Sequence, residues 1–97
     1  MKLVKEFITN AINMNEVLKK SVDLMLSSDY KERFIAEYLQ INNRYEGLKW
    51  MLENWNSGTL SFTPTCPREV YTFQLKAMKE YRDTLVIRAK IEGITLC

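Results

Sequence analysis

The chain has no histidine among its 97 residues. That removes the commonest general base and the commonest transition-metal ligand. Nucleophile systems that pair serine or cysteine with histidine are excluded within one chain. Glycine is scarce: Gly47, Gly58 and Gly93 stand far apart, so there is no glycine-rich phosphate loop. The two cysteines, Cys66 and Cys97, form no Cys-x-x-Cys pair and fit reduced thiols in a cytosol better than a disulfide framework. No acidic cluster has the spacing of a calcium loop. No apolar run reaches the roughly 18 residues of a membrane span. The start, "MKLVKEFITNAIN", is amphipathic and carries Glu6, which makes a poor signal peptide. A net charge of +2 with both signs mixed is not the profile of a protein that binds nucleic-acid polymers. The expectation is a protein that is not an enzyme, uses no cofactor and no metal, and works by binding.

What is present is helix punctuation. Asn13 with Glu16, and Asp29 with Glu32, have the spacing of helix N-caps and their supporting carboxylates. Pro67 and Glu69 mark a third start, with Thr65 or Cys66 as its cap. Gly58 and Gly93 mark stops, the second preceded by Arg88 and Lys90 in the last turn. These signals predict an N-terminal helical segment over about 2–26, with Asn13 as a candidate break, and long helices over about 30–56 and 67–92. "NSGTLSFTPTCP" between the long helices reads as an ordered loop, with Phe62 packing on the hairpin end near Trp55.

Phe34, Tyr38, Ile41, Tyr45, Leu48, Leu52 and Trp55 recur at alternating steps of four and three, a heptad seam. Tyr71, Leu75, Met78, Leu85 and Ala89 continue the rhythm, with Arg82 where Leu would be expected. The predicted architecture is all-α: one helical domain over 1–97, with an N-terminal helical segment over 1–28 and an antiparallel hairpin over 29–96. Trp55 should meet Tyr71 near the loop, and Tyr38 should lie near Ala89.

Trp50 points elsewhere, because five residues turn a helix by about 140° net. It shares a charge-free stripe with Ala36, Gln40, Asn43, Gly47 and Asn54. The third helix has a second face of its own: Phe73, Ala77, Thr84, Ile87 and Ile91. Two helices with apolar material on two sides each need a third layer. The first segment can supply it through Val4, Ile8, Ala11, Leu18, Val22 and Met25, and a second copy of the chain through Gly47, Trp50, Asn43, Phe73 and Ile87; the expectation is that both are used and that the hairpin assembles as a homo-oligomer. For Trp50 three readings stand: packing on the first segment, self-association, and ligand stacking.

Arg82 must find a partner wherever the seam is closed. One reading gives it Glu46 or Tyr45 across the hairpin. The other makes Arg82, Arg88 and Arg44, with Tyr38, Tyr45 and Tyr81, the frame of an anion site. Guanidinium groups grip phosphate with two prongs, and aromatic faces stack on bases.

"DYKERFIAEYLQINNRYEGLKWMLE", "GTLSFTPTCPREVY", "QLKAMKEY" and "RAKIEGITL" resemble a family of small phage and prophage proteins labelled as related to crAss-like phage. The resemblance covers about 29–96, and "FTPTCP" and "RAKIEGI" are its most specific parts. It implies a short viral helical hairpin made in the cytoplasm of a bacterial host. In architecture alone the chain is also similar to viral sponge proteins, small oligomeric hairpins that sequester nucleotide immune signals. Three functions follow as expectations: a homo-oligomer sequestering a cyclic nucleotide or ADP-ribose-type signal; a protein-binding inhibitor or adaptor acting through a helical face; and a virion assembly factor.

Overall fold

The computed structural model describes residues 15–96. Residues 15–25 are helical (α1), followed by α2, Tyr30–Asn56, and α3, Arg68–Glu92. No strand occurs among the described residues. The helix seams and stops read from the sequence match these bounds for α2 and α3. Asn13, Val4, Ile8, Ala11 and Cys97 lie outside the described residues.

The α2 helix starts where Asp29 caps it. The Asp29 carboxylate accepts the Lys31 amide at 2.9 Å, satisfying one of the donors a helix start leaves open. The α3 helix starts differently from expectation. Its cap is Pro67, with an extended backbone and no side-chain cap bond, rather than Thr65 or Cys66. Proline has no amide to satisfy and its fixed φ suits a helix entry, so a capping side chain is less needed there. Gly93 ends α3 in the left-handed conformation, φ 70°, and the Ile94 amide reaches back to the Ala89 carbonyl at 2.8 Å. That turn folds the chain onto itself and buries Ile94.

The two long helices pack as an antiparallel hairpin. Its core is Phe34, Leu85, Ala89 and Ile94, with Ile35, Tyr38, Ile41 and Leu96 packed around it. The seam continues toward the loop through buried Tyr45 and Leu52. At the loop end the Trp55 and Tyr71 rings meet edge to face, 6.0 Å between centroids, and the Arg68 guanidinium covers Trp55 at 4.5 Å. These contacts close the hairpin without Phe62. Phe62 remains 55% exposed, against the expectation that it packs near Trp55. Arg68 occupies the Trp55 face instead.

The α1 helix meets the charge-free side of α2. The contact residue is small: Ser21 is buried, and its hydroxyl receives a bond from the Gln40 amide at 3.4 Å. The same amide reaches Met25 Sδ at 3.2 Å. Leu18 is half-buried, but Val22 and Met25, expected to cover this stripe, remain 47% and 44% exposed. Ala36 is fully buried in the stripe, whereas Asn43, Gly47 and Trp50 are half-buried. Asn54 is buried and satisfied locally: its amide donates to the Trp50 carbonyl at 2.8 Å and accepts the Thr59 hydroxyl at 2.7 Å.

Candidate functional site

The arginines and tyrosines singled out from the sequence lie along the hairpin, but on two flanks. Helix geometry sets the division. Positions seven apart share a side to within about 20°, whereas a step of five turns about 140°. Tyr30, Glu37 and Arg44 therefore share one flank of α2, with Asn42 and Glu46 turned toward the other. On α3, Tyr81 and Arg88 share a side, and Arg82 is turned about 100° from Tyr81.

The first flank is built around Arg88. Its guanidinium lies over the Phe34 ring, 4.8 Å from the centroid, and donates to Glu92 at 3.1 Å and to the Tyr30 hydroxyl at 2.6 Å. Tyr30 in turn donates to Glu92 at 2.9 Å. The bond to Glu92 is the main cause that raises the Tyr30 phenol above its ordinary pKa, and Glu92 likewise holds the proton on Arg88 more firmly. About two helical turns on, the Tyr81 hydroxyl bonds to Glu37. Arg44 is exposed farther along the same side.

The second flank is built around Arg82. Its guanidinium lies over the buried Tyr45 ring at 4.3 Å and reaches Glu46 and Asn42 at 3.4 Å each. Asp83 accepts from it at 3.2 Å. Asp83 also accepts from Lys79 at 2.7 Å, and this bond first of all draws the Asp83 carboxyl below its ordinary pKa. Arg82 thus has the cross-hairpin partners Glu46 and Tyr45, filling the leucine slot with its stem and keeping its charge at the edge. Tyr38 is half-buried against the core cluster. The six residues do not converge on one point; two of the three arginine-over-aromatic contacts of the hairpin involve them, Arg88 on Phe34 and Arg82 on Tyr45, the third being Arg68 on Trp55.

Tyr30, Phe34, Glu37, Glu92 and Asp83 were not among the residues read as a site. The Arg88–Glu92 pair was findable from its spacing of four. Tyr30 was not, since its contact with Glu92 spans 62 residues and depends on the hairpin register.

Of the residues proposed for self-association, Asn43, Gly47 and Trp50 are half-buried on the α1 side of α2, while Phe73 and Ile87 lie exposed on the outer side of α3. No buried side-chain nitrogen or oxygen among the described residues lacks a partner, and none of them form a cluster fit to hold a metal ion. No helix among them is long and apolar enough to cross a membrane.

No curated protein and no solved structure matches the chain. A protein-family model does: the one described as Sequestin, over residues 28–91, which takes in α2, the loop and nearly all of α3. The match spans well over half of the chain, and the chain belongs to the Sequestin family.

Proposed function

We propose that this protein sequesters a small phosphate-bearing nucleotide by stoichiometric binding, without catalysis. Membership of a family named Sequestin carries the reading, since the name denotes sequestration. The sequestered molecule is a cyclic nucleotide or ADP-ribose-type immune signal, held by a phage-encoded counter-defence protein that acts as a homo-oligomer in the host cytoplasm. Its contacts are Arg88, Arg44 and Tyr81 on one flank, and Arg82 with Tyr45 and Tyr38 on the other. The chemistry supports it in one respect above all. Arg88 stands on an aromatic ring with its fork turned to an exposed carboxylate and a phenol. A phosphate arriving there takes the place of Glu92, and a nearby tyrosine can stack on a base.

The test is calorimetric titration with cyclic dinucleotides, cyclic trinucleotides and ADP-ribose derivatives, using wild type, Arg88→Lys and Arg82→Lys. Lysine keeps the charge but loses the planar fork. Loss of one forked bond weakens binding about tenfold, the equivalent of about 1.4 kcal/mol. Whichever variant shows the loss identifies the flank. If wild type binds none of the panel, nucleotide sequestration fails. The second reading, an inhibitor or adaptor that grips a protein, then takes its place; the exposed Phe73, Ile87 and Ile91 favour it.

A further inference from the structure

The α3 helix carries a largely apolar row on the side turned away from α2, interrupted at its middle by Glu80 and Thr84. Val70, Phe73, Ala77, Thr84, Ile87 and Ile91 fall at heptad steps, with Glu80 in the one remaining slot. The large members are strongly exposed: Phe73 77%, Ile91 80%, Ile87 58% and Val70 51%. The seam that α3 uses inside the hairpin is a different one, through Leu85 and Ala89. A helix with two seams has a place for two partners.

Charges beside the outer row say which partner. On one border of the row stand Glu69, Lys76, Asp83 and Lys90, alternating in sign at every heptad. We propose that the occupant is a second copy of this chain, with α3 lying antiparallel on α3 in one register. In that register Val70 faces Ile87 of the second copy, Phe73 faces Thr84, and small Ala77 makes room for Glu80. The same border residues of the two helices then face each other, as they do in antiparallel coiled coils. Glu69 meets Lys90 of the second copy and Lys76 meets its Asp83, each twice by symmetry. The Glu80 carboxylate emerges beside Lys76 of the second copy.

Other pairings meet repulsion. Sliding by one heptad in one direction sets Lys76 against Lys90 and Asp83 against Asp83. Sliding in the other sets Glu69 against Asp83 and Lys76 against Lys76. Parallel pairing brings the two Glu80 side chains together inside the seam, where like charges are least tolerated. The alternating border selects one arrangement and rejects its neighbours, as charges flanking helical seams do. Tyr45 and the core of the hairpin lie on other sides of the helices, whereas Asp83, which holds Arg82, stands on one border of the row and Tyr81 and Arg88 stand on the other, so the pairing lies directly beside both flanks.

Sedimentation of the full chain tests this. Wild type at roughly 100 µM should sediment at twice the 11.5 kDa chain mass. Phe73→Asp, on an exposed position and so harmless to the fold, should weaken the dimer at least about a hundredfold. Glu69→Lys and Lys90→Glu should each weaken the homodimer about tenfold, by setting like charges face to face twice. Mixed one to one, they should recover wild-type affinity as a heterodimer, with circular dichroism confirming equal helical content throughout. A monomeric wild type overturns the proposal, as does a trimer or larger species, or a Phe73→Asp variant that still dimerises. Charge variants that show no preference for each other overturn the register.

Discussion

The guanidinium of Arg82 lies over the ring of Tyr45 at 4.3 Å, while its nitrogens reach Glu46 and Asp83 on either side. A cation has taken a leucine position in the seam and is held by four groups, a ring, two carboxylates and the Asn42 side-chain amide. Each contact is modest, because the Glu46 and Asp83 side chains are still 48% and 43% exposed. Arg82→Lys should lower folding stability by about 1 kcal/mol, through the lost stacking and fork. A double-mutant cycle with Tyr45→Leu should return a coupling of about 0.5–1 kcal/mol in chemical denaturation. Zero coupling would show that the stacked geometry contributes nothing.

Leu85 and Phe73 sit on different sides of α3, about 120° apart, and should behave oppositely. Leu85 is 1% exposed at the centre of the core, so Leu85→Ala should destabilise by about 2–5 kcal/mol. Phe73→Ala removes a larger side chain, yet at concentrations low enough to keep the chain monomeric it should change stability by less than about 0.5 kcal/mol. Urea midpoints of the two variants check the contrast.

Gly93 has open space where a Cβ would stand, but its φ is +70°. Gly93→Ala should therefore cost about 1 kcal/mol from backbone conformation alone. A D-alanine introduced there by chemical ligation should restore wild-type stability or exceed it. An unchanged melting temperature in Gly93→Ala would mean that the terminal turn rearranges without penalty.

Asp83 has its carboxyl drawn below the ordinary range, chiefly by Lys79 and then by Arg82. A folded-state value below the unfolded one contributes stability that is present above the ordinary carboxyl range. It is lost as pH falls through that range and past the folded-state value. Asp83→Asn should thus melt below wild type at pH 7, and the gap should close near pH 2. A gap that persists in acid would assign the loss to packing instead of charge.

The hairpin was legible because heptad seams and caps are local: Phe34 to Trp55 and Tyr71 to Ala89 announce their partners by spacing alone. The pairing of Trp55 with Tyr71 followed from the antiparallel return through a short loop. Phe62 misled because an apolar residue in a proline-bounded loop suggests burial, while Arg68, from the first turn of α3, already covers the Trp55 face. The grouping of Arg82 with Arg88 failed as geometry for a related reason. Both border the seam, but a six-residue step turns a helix by about 240° net, so one leans to each flank. Which carboxylate each arginine meets depends on the relative height of the two helices, which no local pattern records.

The best-packed part of the hairpin, Phe34 with Leu85, Ala89 and Ile94, lies at the end far from the loop. Trp55 and Tyr71 can meet after a short stretch of chain has been closed, whereas the bond between Tyr30 and Glu92 spans 62 residues. Folding that begins at the loop proceeds like a zip whose firmest clasp is reached last. A chain zipped only partway has spent most of its conformational freedom and gained little burial. Partly closed hairpins should therefore be short-lived, and α2 and α3 should come apart together, in a single step.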